Sequence, residues 1–231
     1  MTAAHVSKPV AVVTGSRSGI GAAIARRLGQ QGWAVIGVDL SREEGATWFA
    51  DQKVVDLRNP AEVDALVSTL PAVRALVHAA GFMRTGKLSE LDPADGDAMW
   101  AVHVRALVLL AQALCPAMPE GGRLLAIGSR TSAGSAGKSQ YAACKAAVTA
   151  LVRSWAAELA GRRITANVIA PAATATPMLS NADRSGVPPV LPPIGRYIDP
   201  GEIAAYAAFL LSPEAGAITG QELLVCGGAS L

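Results

Sequence analysis

The sequence predicts one α/β domain in which a mostly parallel, seven-stranded sheet is flanked by helices. Short apolar runs rich in β-branched residues alternate with helical stretches along the 231 residues. Strands separated by helices of this length form βαβ units, whose strands run parallel with right-handed crossovers. Hydrophobic residues make up 51% of the chain and aromatic residues only 4%, with abundant alanine and glycine, which suits close packing of helices on a sheet.

The first half of the chain is predicted to contain four strands and three helices. Each strand is a short apolar run rich in β-branched residues, and the helices are the longer segments between these runs. In chain order they are the strand 9–14 (PVAVVT), the helix 19–32, the strand 33–39 (WAVIGVD), the strand 53–56 (KVVD), the helix 60–70, the strand 73–81 with its exit turn, and the helix 93–117.

The second half continues this alternation and adds one irregular segment. Its predicted elements are the strand 122–129 (GRLLAIGS), the helix 138–160, the strand 164–171 (ITANVIAP), the helix 200–212 and the strand 222–226 (ELLVC). Residues 178–200 are rich in proline and show little periodicity, so they are interpreted as one extended loop. Neither an internal repeat nor a linker is visible, and residues 1–231 are therefore expected to form a single domain.

Charge and composition exclude several classes of protein. The formal net charge is +2 with no basic block, which argues against a nucleic-acid partner or an anionic membrane surface. No apolar run approaches the length of a membrane span, and the N-terminal MTAAHVSKPVAVVTG leads directly into a strand without the layout of a signal peptide. Cys115, Cys144 and Cys226 are scattered and lack metal-ligand spacing, so a cytoplasmic protein with reduced thiols and no metal site is expected.

A glycine-rich turn, TGSRSGIG at 14–21, follows the first strand and opens the first helix. Gly15, Gly19 and Gly21 allow a tight turn, close approach of a pyrophosphate and packing of the helix on the sheet. The helix N-terminus offers unpaired N–H groups and a positive dipole end to the anion. Asp39 closes the second strand near the usual offset for an acid that binds a ribose diol. The turn is therefore interpreted as a dinucleotide site, and a plain turn with a surface aspartate is the alternative.

The segment YAACK places a phenol and an ammonium four residues apart in a predicted helix. Residues at i and i+4 lie on one face of a helix, so Tyr141 and Lys145 can touch. Taken alone, the pair is more typical of a solvated helix face, because polar pairs at this spacing are common.

With these motifs in place, the chain resembles the short-chain dehydrogenase/reductase family from about residue 9 to its end. TGSRSGIG is similar to the family's TGxxxGxG turn, HAAG (78–81) to its NNAG segment and YAACK to its YxxxK. NVIAPAATATPM (167–178) is similar to the family's stretch after strand six, and ITGQELLVCGG (218–228) to its closing strand. The resemblance implies a doubly wound Rossmann fold and a dinucleotide-dependent oxidoreductase.

The resemblance makes Tyr141 the general acid/base and Lys145 its partner, which should also hold the nicotinamide ribose. A free tyrosine has a pKa of about 10, so ionisation near neutral pH requires a shift of about 3 units, or roughly 4 kcal/mol. An ammonium one helical turn away and an oxidised nicotinamide both favour the phenolate. In the family a serine just past strand five polarises the substrate oxygen. Ser129 is the first candidate here, and Ser132 stays open because the loop before Tyr141 is one residue short.

Three positions depart from the family pattern. His103 stands where the family usually has an asparagine that helps to hold a water beside the lysine. An imidazole titrates near pH 6.5, so a proton-relay role would add a limb to the pH–rate profile near pH 6–7, and packing between helix and sheet is the alternative. Pro171-Ala172 replaces the family's PG. His78 replaces the first Asn of NNAG and is expected to be a hydrogen-bonded packing residue.

The resemblance also assigns residues to the cofactor and the substrate. The cofactor set is Gly15, Ser16, Arg17, Ser18, Gly19, Ile20, Gly21, Asp39, Leu40, Asp56, Leu57, Ala79, Ala80, Gly81, Tyr141, Lys145, Pro171, Ala172, Thr174 and Thr176. Asp39 favours NAD over NADP, although Arg17 and Arg42 could face a 2′-phosphate. The substrate pocket is expected to be formed by Met83, Arg84, Arg130, Ser135 and the loop 178–198.

The expected function is NAD-dependent hydride transfer to or from a small secondary alcohol or ketone. The alternatives are an NADP-dependent carbonyl reductase and a non-catalytic dinucleotide-binding protein that has lost its relay at position 103. The helices 93–117 and 138–160 resemble those that the family packs into a four-helix bundle. AVHVRALVLLAQAL is apolar over more of its circumference than one buried face requires, so a homotetramer is expected, with a dimer as the fallback.

Overall fold

The computed structural model of the protein describes residues 8–180 and 187–231, in which the short apolar runs form strands and the longer segments form helices. The strands are β1 (Val10–Thr14), β2 (Ala34–Asp39), β3 (Phe49–Val54), β4 (Ala75–His78), β5 (Arg123–Ile127), β6 (Thr165–Pro171) and β7 (Glu222–Val225). The helices are α1 (Gly19–Gln30), α2 (Pro60–Ser68), α3 (Pro93–Trp100), α4 (Ala106–Leu114), α5 (Ser139–Leu159) and α6 (Pro200–Leu211).

Within these residues the strands form one sheet in the order β3-β2-β1-β4-β5-β6-β7, and every pairing is parallel. The central strands β4, β5 and β6 are buried along their whole length, because helices cover both faces of the sheet. Burial on both faces explains why their sequences are mostly apolar rather than alternating. The predicted doubly wound α/β fold with a seven-stranded sheet is confirmed.

Alternation of side chains along each strand divides the core into two layers. On one face of the sheet, Val12 belongs to a buried cluster with Leu107 of α4 and Val148 of α5. On the other face, Val13 belongs to a cluster with Ile24 of α1 and Ile203 of α6. The sheet is therefore enclosed on both sides, and its carboxyl edge is left for the loops that follow the strands.

The largest difference from the predicted elements lies at the edge of the sheet. β3 spans Phe49–Val54 instead of the predicted 53–56, and its pairing with β2 contains a register shift between Val35 and Ile36. Half of the sequence FADQKV is polar, and no residue in the strand is fully buried. An edge strand has a partner on one side only, so the apolar pattern that marks the central strands is absent there.

The predicted helix 93–117 is interrupted by a π-helical turn, Ala101–Arg105, that separates α3 from α4. The run Pro93–Ala117 is also long and apolar enough to cross a membrane by length and composition alone, so the expectation that no apolar run reaches that length was wrong. Within the fold, 56% of its apolar window is buried, and Met99 and Leu110 are fully buried core residues.

The predicted loop 178–200 is described in part, since residues 181–186 lie outside the described residues. Residues 187–199 contain neither helix nor strand, and α6 then begins at Pro200 as predicted. The Ile194 N–H donates to the carbonyl of Gly227 at 3.0 Å. This part of the loop therefore packs against the segment that follows β7.

Candidate active site

A cavity of about 900 Å³ opens at the carboxyl edge of the sheet. From β1 the chain moves outward through β2 to β3, then returns to β4 on the other side of β1 and continues to β5, β6 and β7. Ligands of doubly wound sheets bind at such a switch point, where the loops on the two sides separate and leave a crevice. The segments that follow each of the strands β1 to β6 all contribute to the cavity wall.

The glycine-rich turn depends on close main-chain approaches. Gly15 and Gly19 have φ values of 67° and 56°, in the left-handed region that favours glycine. A Cβ on Gly21 would lie 2.1 Å from the carbonyl oxygen of Gly15. Ser18, the N-cap of α1, makes no capping hydrogen bond with its side chain, so the first N–H groups of the helix are left for another acceptor. The turn therefore fits the diphosphate of a dinucleotide.

Asp39 is fixed at the end of β2 by two main-chain donors. Its Oδ2 accepts from the Arg17 N–H at 2.9 Å and its Oδ1 from the Leu40 N–H at 2.7 Å. The carboxylate thus joins the end of β2 to the glycine-rich turn and brings a negative charge to the cavity wall. Asp56, after β3, is held by the guanidinium of Arg58 at 2.7 Å, and this hydrogen bond lowers the pKa of the Asp56 carboxyl.

Tyr141 and Lys145 lie on the buried face of α5, with 6% and 5% of each residue exposed. The Lys145 Nζ lies 5.6 Å from the centroid of the Tyr141 ring and donates to the carbonyl of Ile127 at 2.7 Å. Burial lowers the pKa of Lys145 to about 8, against a smaller opposing effect of Cys144. The ammonium therefore predominates at pH 7. Burial also excludes the alternative of a solvated Tyr-Lys pair on the surface of the helix.

Ser129 follows β5 directly and lines the cavity. Its Oγ accepts from the Thr131 N–H at 3.2 Å and lies 2.9 Å from Thr131 Oγ1. The alternative, Ser132, instead donates to Glu222 Oε1 at 2.8 Å and does not line the cavity. The geometry favours Ser129.

Sequence reasoning missed Thr131, a buried hydroxyl beside Ser129 whose only signal was its position two residues further along the chain.

His103 lies in the π-helical turn and is 1% exposed. Its Nε2 lies 2.8 Å from the carbonyl oxygen of Phe82 and 3.3 Å from the main-chain nitrogen of Phe82, and its Nδ1 has no hydrogen-bond partner among the described residues. The ring meets Tyr141 edge to face, with centroids 5.5 Å apart. Burial, followed by the charge of Lys145, holds the pKa of His103 well below 6.5. Burial therefore argues against titration of this imidazole near pH 6–7 and favours the alternative, packing between helix and sheet.

His78 is buried beneath the cavity rather than in its wall. Its Nδ1 lies 3.0 Å from Thr14 Oγ1 and its Nε2 lies 3.0 Å from the carbonyl oxygen of Val102. Burial lowers the pKa of His78 to about 3, so the ring is neutral and links β1, β4 and the π-helical turn. These contacts agree with the expected packing role.

Substitutions of His103 separate a positioning role from a titrating role. We expect His103→Leu to lower kcat about tenfold, because it removes the hydrogen bond that ties the π-helical turn to the loop after β4. His103→Asn keeps a polar group there and should retain most activity. Because the neutral imidazole does not titrate between pH 6 and 8, neither variant should change the shape of the pH–rate profile in that range. Loss of a limb near pH 6–7 in His103→Asn would contradict this, and wild-type kinetics of His103→Leu would leave the residue a packing role only.

Most residues assigned to the cofactor line the cavity. They are Gly15, Ser18, Gly19, Ile20, Gly21, Asp39, Leu40, Asp56, Leu57, Ala79, Ala80, Gly81, Tyr141, Lys145, Pro171, Ala172, Thr174 and Thr176, together with the pocket residues Met83, Arg84, Arg130 and Ser135. Ser16 and Arg17 do not line it. Ser16 is 3% exposed with its Oγ against Gly37 of β2, and Arg17 donates its main-chain N–H to Asp39, so their assignment to the cofactor stays a prediction.

Comparisons with known proteins agree with this arrangement. A family model described as enoyl-(acyl carrier protein) reductase matches residues 15–230. The chain is 35% identical over 243 residues to the (2S)-[(R)-hydroxy(phenyl)methyl]succinyl-CoA dehydrogenase subunit BbsD of Thauera aromatica, with 98% of each chain covered. It is 34% identical over 235 residues to the 3-oxoacyl-[acyl-carrier-protein] reductase FabG of Vibrio cholerae, covering 95% of this chain and 96% of that one. Among solved structures it matches a blue fluorescent protein from a metagenomic library in complex with NADPH, with a TM-score of 0.87, 34% identity and coverage of 96% and 98%.

Proposed function

The chain belongs to the short-chain dehydrogenase/reductase family of nicotinamide-binding oxidoreductases, and from that premise we propose that it catalyses NAD-dependent hydride transfer to or from a small secondary alcohol or ketone. The observation that carries the proposal is a single cavity that joins the glycine-rich turn to Ser129, Tyr141 and Lys145. A dinucleotide whose diphosphate lies on the turn reaches these side chains along the carboxyl edge of the sheet.

The proposed roles follow from the contacts of each side chain. A bound nicotinamide supplies the hydride in ketone reduction and accepts it in alcohol oxidation. Ser129 donates its hydroxyl proton in a hydrogen bond to the substrate oxygen. Tyr141 gives its phenolic proton to that oxygen as the ketone becomes an alcohol, and takes the proton back in the reverse direction. Lys145, held by the Ile127 carbonyl, stabilises the phenolate that remains.

A spectrophotometric assay tests the proposed reaction. NADH consumption with ketones, and its formation with cyclic and aryl secondary alcohols, would support the proposal. The names of the two relatives add a second candidate class, acyl thioesters that carry a keto or hydroxyl group, so the panel includes acetoacetyl-CoA. NADH binding without turnover across the whole panel would favour the non-catalytic alternative, a dinucleotide-binding protein.

We expect kcat/KM with NAD to be at least tenfold higher than kcat/KM with NADP. A 2′-phosphate about 5 Å from the Asp39 carboxylate would be repelled by roughly 3 kcal/mol at an effective dielectric near 20. Asp39→Ser should reduce the ratio of kcat/KM with NAD to kcat/KM with NADP. Asp39→Asn serves as the closer control, because it removes the charge but keeps an oxygen for one of the two main-chain donors, the N–H of Arg17 or of Leu40. Equal or better use of NADP by the wild type would mean that Arg17 or Arg42 determines the cofactor.

We further propose that the protein is cytoplasmic and forms a homotetramer, with a dimer as the fallback. Trp100 at the end of α3 is 47% exposed, and Phe209 of α6 is 43% exposed. These two apolar side chains lie on opposite layers of the domain, as two separate subunit interfaces require.

A further inference from the structure

The charges in the cavity wall are unevenly distributed. Among the described residues, the acidic side chains in the wall are Asp39 and Asp56, which lie at the β2–β3 end, where Arg58 pairs with Asp56. At the opposite end, Arg84 follows β4, and Arg130 and Lys138 follow β5. Three strand spacings separate β2 from β5, which is about 14 Å and exceeds the screening length of about 8–10 Å in physiological salt. Among the described residues, no acidic side chain lines the wall at the end that holds Ser129 and Tyr141.

Arg130 is the cation whose position argues most strongly for a ligand. It follows Ser129 in the chain, is half-buried and lines the cavity. Arg84 lies 3.5 Å from Asp95 and over the ring of Phe82, whereas Arg130 has neither a hydrogen-bonded nor an ion-paired partner among residues 8–180 and 187–231. A guanidinium withdrawn from water without an anion is unfavourable, so an anion that binds there gains a charge-assisted contact.

The remaining wall at this end is mostly apolar, with Thr131 and Ser135 as polar members. Met83, Met178, Leu179, Val187 and Leu191 line it and offer no group that would hold a polar carbon skeleton. Arginine also differs from lysine in presenting a planar fork that matches the two oxygens of a carboxylate or phosphate. The arrangement thus combines an apolar surface, one anion-binding group and the proton donors Ser129 and Tyr141.

We propose that the substrate is an anionic ketone or alcohol whose carboxylate or phosphate is bound by Arg130. This inference rests on the proposed function and narrows its substrate class. Arg130 and Ser129 are neighbours in the chain. If the anionic group belongs to the substrate itself, it is therefore only a few bonds away from the carbonyl that Ser129 contacts. A phosphate on an acyl carrier reaches Arg130 from the mouth of the cavity instead.

The test compares three 3-oxo compounds that differ in charge, with NADH as the second substrate. Acetoacetate carries a carboxylate, ethyl acetoacetate is its neutral ester, and acetoacetyl-CoA carries phosphates on its carrier. We expect the wild type to prefer one of the anionic compounds to the ester by at least about tenfold in kcat/KM, as a charge-assisted hydrogen bond provides. A preference for acetoacetate would mean that Arg130 binds a carboxylate of the substrate. A preference for acetoacetyl-CoA would mean that Arg130 binds a phosphate of the carrier.

Variants of Arg130 show whether this residue causes the preference. Arg130→Gln should abolish this preference, mainly by raising the KM of the anionic compound, while Arg130→Lys should retain part of it. Arg27→Gln, which removes an exposed arginine on α1 away from the cavity, is the matched control and should behave as wild type. The proposal would be overturned if the wild type had the same kcat/KM for the ester as for both anionic compounds. It would also be overturned if Arg130→Gln lost activity equally on all three compounds, or lost activity on none of them.

A binding measurement keeps this inference separate from the proposed function. If the wild type binds NADH but turns over none of the three compounds, the proposed reaction fails. Calorimetric titration of acetoacetate and of acetoacetyl-CoA into the enzyme–NADH complex then still tests Arg130. Binding of either anion that is weakened about tenfold in Arg130→Gln and unchanged in Arg27→Gln would support the anion site, and equal binding by all three proteins would overturn it.

Discussion

Tyr141→Phe is expected to lower kcat about 1,000-fold at pH 7 while leaving NADH affinity within about threefold of wild type. The substitution removes one hydroxyl and preserves the ring, which is buried and packs edge to face against His103. No other phenol lines the cavity within the described residues, so the substrate oxygen loses its proton donor. The Lys145 ammonium remains, but without the phenol it has no phenolate to stabilise.

The control for Tyr141→Phe is Tyr206→Phe. Tyr206 lies on α6 in the opposite layer and does not line the cavity, so removal of its hydroxyl should leave kcat unchanged. Steady-state kinetics and a fluorescence titration with NADH measure the two effects separately. A Tyr141→Phe enzyme with more than about a tenth of wild-type kcat would contradict the proposed role of general acid/base.

Gly21→Ala is expected to weaken NADH binding by at least about 100-fold. The added Cβ would lie 2.1 Å from the carbonyl oxygen of Gly15, and this contact is main chain, so no flexible side chain can move aside. The first turn of α1 must then move away from the turn after β1, and the N–H groups of the helix lose their position for the diphosphate. Overpacking of this kind costs about 1–3 kcal/mol in stability as well.

Gly161→Ala is the matched control for Gly21→Ala, because nothing lies within 4 Å of the position that its Cβ would occupy. Circular dichroism establishes that each variant is folded, and the rise in Tm on addition of NADH reports cofactor binding. A folded Gly21→Ala protein with a wild-type rise in Tm would contradict the predicted contact. If this variant does not fold, Gly19→Ala tests the same turn, since its Cβ would meet only the Thr176 side chain at 3.1 Å, although its φ of 56° adds strain.

The sequence by itself determined the fold class and identified motifs that the fold brings to one cavity. The strands β1, β4, β5 and β6 could be predicted because buried parallel strands need continuous apolar residues, which are visible in a short window. The turn at 14–21 and the Tyr141–Lys145 pair could be predicted because each motif is contiguous and its geometry is set by a local turn or by one turn of helix. The proposed catalytic roles themselves came from the family resemblance and await the experiments above.

Only the tertiary structure decided the remaining features, because each depends on residues far apart in the chain. The edge strand β3 is defined by its pairing with β2 rather than by its own polar sequence. Glu222 of β7 accepts from Ser132 and so favours Ser129 as the serine of the cavity. His103 is neutral because the sheet and α5 exclude water from it. This burial arises only when the whole chain packs, so it could not be predicted from a local motif.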